Sequence, residues 1–257
     1  QISAAEARRK ADENRQPPSS DKSGTSGSGF IVSKSGHVVT NEHVVRGCSR
    51  ITVGDDVNKQ VLAETIQTDK KNDLALLKLS SISMTSAATK SLIRKLGVRI
   101  SSSSGDSSIP LSSNGLLRSE DVELGERVMV AGYPYGDTFS NTIKVTGGMV
   151  SAIRGMGDDS GQFQMDAAVQ SGNSGGPIYD ENGNVVGVVI SQLNRLKVAK
   201  AIGSLPELVN FGIKASTVRQ FLTASGLPSK WSTRSKPMSM KALAKIGKNQ
   251  TVMVICS

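Results

Sequence analysis

The octapeptide Gln170-Ser171-Gly172-Asn173-Ser174-Gly175-Gly176-Pro177 sets a serine hydroxyl among glycines. Glycine lets the backbone turn sharply and lets a second chain approach closely. A serine in that setting suits a nucleophile on a tight turn. A simple Gly/Ser turn between strands has the same local texture, so the partners decide. A serine hydroxyl needs a base, and the 257-residue chain holds only two histidines, His37 and His43. Both precede the serine. Gly172-x-Ser174-x-Gly176 has the form of a strand-to-helix nucleophile elbow, but that arrangement needs a histidine after the serine. None follows Ser174. An order with an aspartate ahead of the histidine leaves only Asp12 and Asp21, both in a polar N-terminal stretch. The order His, Asp, Ser remains.

Of the two histidines, His43 is the better base. It sits in Thr40-Asn41-Glu42-His43-Val44-Val45, just past a β-branched run, whereas His37 lies in the approach to that run. Ten aspartates lie between His43 and Ser174, and Asp73 stands out. It opens the apolar run Asn72-Asp73-Leu74-Ala75-Leu76-Leu77-Lys78-Leu79. A carboxylate at the mouth of a buried strand is desolvated and rigid, which suits orienting an imidazole through its Nδ1–H. Asp69, beside Lys70 and Lys71, fits a surface turn.

These side chains need a scaffold, and the scaffold is β. Short β-branched runs lie between Gly, Asn and Asp turns from Phe30 to Leu79 and again from Arg127 to Ser191. No strand–helix alternation is visible, which argues against a doubly wound sheet. The expected organisation is an N-terminal tail or linker over 1–23, a first barrel over 24–90 and a serine-rich insertion over 91–117. A second barrel with its C-terminal helix covers 118–228, and a basic C-terminal extension covers 229–257. Eight of the fifteen residues from Ser101 to Gly115 are serine. A short helix is expected over Leu92–Leu96. Another should be capped by Ser216 and ended by Gly226 and Pro228. A third is expected over Met240–Ile246, followed by an apolar strand, Val252–Cys256.

Gly27-Ser28-Gly29-Phe30-Ile31-Val32, Thr40 to Val45, Asn72 to Leu77, and Asp166-Ala167-Ala168 to Pro177 occur in that order. As a set they resemble the HtrA/Deg type of trypsin-like (chymotrypsin-fold) serine peptidases. The resemblance covers roughly 24–83 and 118–228. It implies an all-β fold of two antiparallel six-stranded β-barrels with a C-terminal helix, and a site in the cleft between them. It implies a serine endopeptidase in which Ser174 attacks the scissile carbonyl, His43 carries the proton and Asp73 fixes the His43 tautomer. The N–H groups of Gly172 and Ser174 would form the oxyanion hole. By the same resemblance Ala168 forms the base of the substrate pocket, with walls around Ile190, Ser191 and Asn210. With no acid at Ala168, a small or medium apolar P1 residue is expected. Asn173 cannot make the ion pair with a new N-terminus that an aspartate makes at the matching place in trypsin. Activation by that kind of cut is therefore not expected. Only 29 residues follow Pro228, too few for a PDZ domain. A family-type trimer is not carried over, and oligomeric state is left open.

Protein or peptide substrates are the expected partners, and no metal or organic cofactor is needed. The alternative is a poorly active, chaperone-like or peptide-binding module on the same fold. The formal net charge is +9, but aromatic residues make up only 4% and none interleaves with the basic clusters. Nucleic acid is therefore not an expected partner. No apolar run approaches the ~18–20 residues of a transmembrane helix. Cys48 lies five residues after His43, and Cys256 lies in the apolar C-terminal run. Two unrelated buried thiols are one possibility, and a metal site with the histidines has poor count and spacing. A Cys48–Cys256 disulfide is favoured. It would place the protein in an oxidising compartment, periplasmic or secreted. The chain begins with Gln, so its start says nothing about a signal peptide.

Overall fold

The structure is a computed structural model and describes residues 25–80, 87–98, 115–134, 142–190, 208–228 and 230–257. The expected tail over 1–23, most of the serine-rich insertion and the pocket residue Ser191 lie outside the described residues.

Two closed antiparallel six-stranded barrels form the body, as the all-β expectation requires. The first contains β1 (Thr25–Ile31), β2 (His37–Thr40), β3 (Ile51–Asp56), β4 (Lys59–Asp69) and β5 (Leu74–Leu79). Its sixth strand is β12 (Thr251–Cys256), inserted between β1 and β3. Thr25 pairs with Cys256 and Phe30 with Thr251, while Ile51 pairs with Cys256 on the other edge. The second barrel is built from β6 (Arg127–Gly132), β7 (Lys144–Ala152), β8 (Gln162–Met165), β9 (Pro177–Tyr179), β10 (Val185–Ile190) and β11 (Asn210–Lys214).

Numbered in chain order, the strands of the second barrel close as 1-2-3-6-5-4. The first barrel has the same ring only if β12 is counted as its first strand. The two barrels therefore share a topology, with the first permuted so that its leading strand arrives last in the chain. This moves the boundary expected at 229: the C-terminal extension supplies the strand that closes a barrel expected within 24–90. Thr251 to Val254 are buried on both faces, which explains the uninterrupted apolar run. Val252 and Val254 join the first-barrel core with Val38, Val53, Val61 and Leu77.

Among the described residues four α-helices dress the barrels: α1 (Glu42–Val45), α2 (Ala87–Lys95), α3 (Ala215–Ala224) and α4 (Met240–Gln250). Leu92, Ile93 and Leu96 pack α2 and its exit onto the first barrel. The expected cap of α3, Ser216, lies inside its first turn instead. Strand β11 runs straight into the helix, and the extended Lys214 occupies the N-cap position. At the other end Gly226 takes a positive φ of 74°, as the Gly–Pro stop predicts. Helix α4 runs one turn beyond the expected Ile246, and the Ser239 hydroxyl caps it by accepting from Ala242 N–H. Leu243 of α4 and Val218 and Leu222 of α3 share a core with Met129, Tyr179, Phe30 and Leu76, joining both barrels. Helix α4 thus seats the chain just before it enters the first barrel as β12.

Candidate active site

The imidazole and the carboxylate come from the first barrel. His43 sits in the single turn α1, directly after β2. Its Nδ1 lies 2.7 Å from Asp73 Oδ2, and its backbone N–H donates to Asp73 Oδ1 at 3.0 Å. One carboxylate thus holds both the ring and the main chain of the same histidine. Their side chains are 13% and 19% exposed, enough for the ring to be reached yet shielded from bulk water.

Asp73 has φ 52°, a left-handed conformation that aspartate tolerates better than most residues. Two side chains hold that geometry. Asn41 Nδ2 donates to the Asp73 carbonyl at 2.8 Å. Asp69 Oδ1 accepts from the N–H groups of Lys71 and Asn72, and its Oδ2 accepts from Asn72 Nδ2 at 2.6 Å. Asp69, expected as a plain surface residue, therefore shapes the turn that delivers Asp73. Beside His43, Glu42 is buried and pairs with Arg46. The guanidinium hydrogen-bonded to it holds the Glu42 carboxyl below the usual range.

His37 stands apart. Its Nδ1 lies 2.7 Å from Ser33 Oγ and 3.0 Å from Ser35 Oγ, in the turn between β1 and β2. Burial, with Lys78 adding to it, pulls its pKa down to about 4.

Ser174 comes from the second barrel, on the turn before β9. The turn is tied to β10, where Gly175 N–H donates to the Val189 carbonyl at 3.0 Å and Val189 N–H to the Gly176 carbonyl at 2.9 Å. Gly175 has φ 84°, and a Cβ there would collide with the Ser28 carbonyl and with Thr40 Oγ1. Only glycine brings this turn flush against the strand that leads to His43. Gly27 lies between the Val44 side chain and the Ser174 carbonyl, so the Ser174 turn meets α1 across a single backbone. Among the described residues no hydrogen bond joins the Ser174 hydroxyl to the His43 ring. Such bonds commonly tighten only in the substrate complex.

Gly172 has φ 95°, and neither its N–H nor that of Ser174 donates to a described residue. Both sit on one buried turn beside the serine. Ser28, quoted in the sequence motif without a role, is fully buried at the centre of this contact. Its N–H donates to the Ser174 carbonyl at 2.8 Å, and its hydroxyl donates to the Gly172 carbonyl at 2.6 Å. Tyr133 N–H donates to the Ser28 hydroxyl at 2.8 Å, and Thr40 Oγ1 donates to the Ser28 carbonyl at 2.7 Å. Ser28 and Asn41 both lay in motifs that the sequence displays. Their hydrogen bonds span 144 and 32 residues, which local pattern does not reveal.

The expected pocket residues converge in part. Asn210 is 6% exposed and donates to the Ala167 carbonyl at 2.8 Å, next to the exposed Ala168. Ile190, at the end of β10, pairs with Phe211, the residue after Asn210. Cys48 and Cys256 are joined by a disulfide with a Cα–Cα distance of 5.3 Å, beside α1. Among the described residues no cluster of three or more His, Cys, Asp or Glu could hold a metal ion. No helix among them is long and apolar enough to cross a membrane.

Comparison with known proteins agrees with this fold. Residues 27–188 match the trypsin-like peptidase domain. The chain is 33% identical to an uncharacterized protein, y4bJ, of Sinorhizobium fredii, over 96% of this chain and 35% of that one. It is also 33% identical to a probable periplasmic serine endoprotease, DegP-like, of Hahella chejuensis, over 64% of this chain and 29% of that protein. It therefore spans about a third of the length of the curated relatives it matches. Among solved structures, the HtrA-type protease AlgW with a decapeptide superposes with a TM-score of 0.54 at 23% identity. That match covers 77% of this chain and 51% of AlgW, and it speaks for the fold. The chain belongs to the trypsin-like peptidase domain family, with HtrA-type proteases among its relatives.

Proposed function

We propose that this chain is a serine endopeptidase that hydrolyses peptide bonds through His43, Asp73 and Ser174. The single observation that carries the proposal is the doubly anchored histidine. With Nδ1 bound to Asp73 Oδ2 at 2.7 Å and the main chain fixed by Oδ1, His43 is left with Nε2 as its free base. That nitrogen removes the Ser174 proton as Oγ attacks the scissile carbonyl, and returns it to the leaving amine. The acyl-enzyme is then cleaved by water activated at the same nitrogen. The N–H groups of Gly172 and Ser174 stabilise the negative charge that develops on the carbonyl oxygen, and losing one such donor typically costs about 10²–10³ in turnover. The carboxylate–imidazole pair stabilises the imidazolium without giving up its own charge. No metal or organic cofactor enters these steps.

Substrates are proteins or peptides, in unfolded or flexible segments, with a small or medium apolar P1 residue. The absence of an acidic side chain at Ala168 and the engagement of Asn210 by the Ala167 carbonyl support that preference. The disulfide, and a periplasmic protease among the relatives, support a periplasmic or secreted location. The division into two barrels is retained, with β12 counted in the first.

Intact-mass detection of a fluorophosphonate adduct tests the proposal on the wild type and on Ser174→Ala. One adduct on the wild type and none on the variant is the expected result. An unlabelled, folded wild type that stays unlabelled with an unfolded protein present would favour the peptide-binding alternative and overturn the enzyme.

A further inference from the structure

We propose that Ser28 is a positioning residue for the oxyanion hole, acting through the peptide planes on either side of the nucleophile. The inference rests on the serine-peptidase reading above and extends it to a residue with no assigned part. Every polar atom of Ser28 is engaged, and the two engagements that matter fall on one short turn.

The plane linking Gly172 to Asn173 has its carbonyl held by the Ser28 hydroxyl at 2.6 Å and its N–H by the Gln170 carbonyl at 3.0 Å. The plane linking Ser174 to Gly175 has its carbonyl held by Ser28 N–H at 2.8 Å and its N–H by the Val189 carbonyl at 3.0 Å. Between them lies the plane that carries the Ser174 N–H, whose carbonyl accepts from Gly176 N–H at 2.9 Å. Fixing both outer planes fixes the direction of that donor. The second donor, Gly172 N–H, hinges on a glycine at φ 95°, which has no side chain to resist rotation. The Ser28 hydroxyl supplies the restraint that glycine lacks.

The hydroxyl is suited to this task because it must do two things at once. It accepts from Tyr133 N–H at the end of β6, so its one proton is directed to the Gly172 carbonyl. An alanine does neither. A thiol does both poorly. The space around it is also closed: a Cβ at Gly132 would lie 2.9 Å from Ser28 Oγ and 2.6 Å from Asn173 Oδ1. Ser28 belongs to the first barrel, Tyr133 and the nucleophile turn to the second. The geometry of the oxyanion donors is thereby coupled to the contact between barrels.

A role limited to stability would lower the melting temperature and leave transition-state recognition intact once the protein is folded. The test therefore compares two ligands of one apolar peptide sequence. A peptide boronic acid forms a tetrahedral adduct with Ser174 and places an oxyanion in the hole. The corresponding peptide carboxylate occupies the same cleft as a ground-state product. In Ser28→Ala, assayed well below its melting temperature, the ratio of boronate to carboxylate affinity is expected to fall on the order of 10²-fold. The value of kcat should fall by a similar factor with KM nearly unchanged. Should Ser28→Ala not fold, Ser28→Cys carries the same expectation at about tenfold, because a thiol is a weak donor. A wild-type affinity ratio in either folded variant overturns the proposal. A wild type that binds the boronate no better than Ser174→Ala does removes the serine-peptidase reading itself, and this proposal with it.

Discussion

Removing the disulfide that holds β12 gives a sharp test of how the first barrel is closed. The perturbation is the double variant Cys48→Ser/Cys256→Ser, checked against the wild type in a phosphine reductant. The bond joins residues 208 apart in sequence. For a loop of that length the chain-entropy relation gives an upper figure of about 5 kcal/mol of stabilisation, acting on the unfolded chain. Measured losses on removing a native disulfide run from about 2 to 5 kcal/mol. For a domain of this size each kcal/mol moves the melting temperature by about 2–4 °C, so a drop of roughly 5–20 °C is expected. The folded state itself should change little. β12 keeps a ladder with β1 and another with β3, and its core side chains Val252 and Val254 do not depend on sulfur. Fluorophosphonate labelling of the variant at 25 °C should therefore stay close to that of the wild type. Differential scanning calorimetry and labelling of one preparation suffice. A shift under about 2 °C would refute the reasoning, because it would mean that β12 is already confined in the unfolded chain.

Two further outcomes are expected. Asp73→Asn should lower kcat on the order of 10⁴-fold, because the new amide nitrogen facing His43 Nδ1 forces the proton onto Nε2; single-turnover acylation that falls less than tenfold would remove Asp73 from its role. The depressed pKa of His37 predicts that stability falls with acid. The unfolded histidine titrates near 6.5 and the folded one at about 4, so between those values the unfolded state binds more protons. Melting temperatures should decline over that window in the wild type, and the decline should be smaller in His37→Asn.

The proposed nucleophile, base and orienting acid are legible because each sits in a short segment whose residue types already imply chemistry. Chain order alone separates the possible serine mechanisms, and Asp73 is marked by the apolar strand behind it. What the sequence hides are distant hydrogen bonds. Ser28 looks like a turn filler between two glycines, and nothing local says that Gly172 waits 144 residues away. The same holds for β12. Its apolar run announces a buried strand, but strand partners are chosen by long-range register. A run at the far end of the chain gives no sign that its neighbours are β1 and β3. The start of α3 is missed for a nearer reason. An extended lysine that ends a strand can begin a helix without the hydroxyl that a cap usually advertises.

The late arrival of β12 carries a consequence for synthesis. A ribosome delivers Thr25 to Leu79 early, yet these five strands have an open gap until Thr251 to Cys256 emerge. At about 5–20 residues per second the intervening chain takes on the order of ten seconds or more to make. During that interval β1 and β3 present unpaired edges, and Ser28 and Thr25, both on β1, lie on one of them. The second barrel, whose described strands follow one another from Arg127 to Lys214, is free to close first. The contact that β1 makes with the Ser174 turn through Ser28 gains a closed barrel behind it only when β12 arrives, which makes assembly of the proposed site a late step in folding.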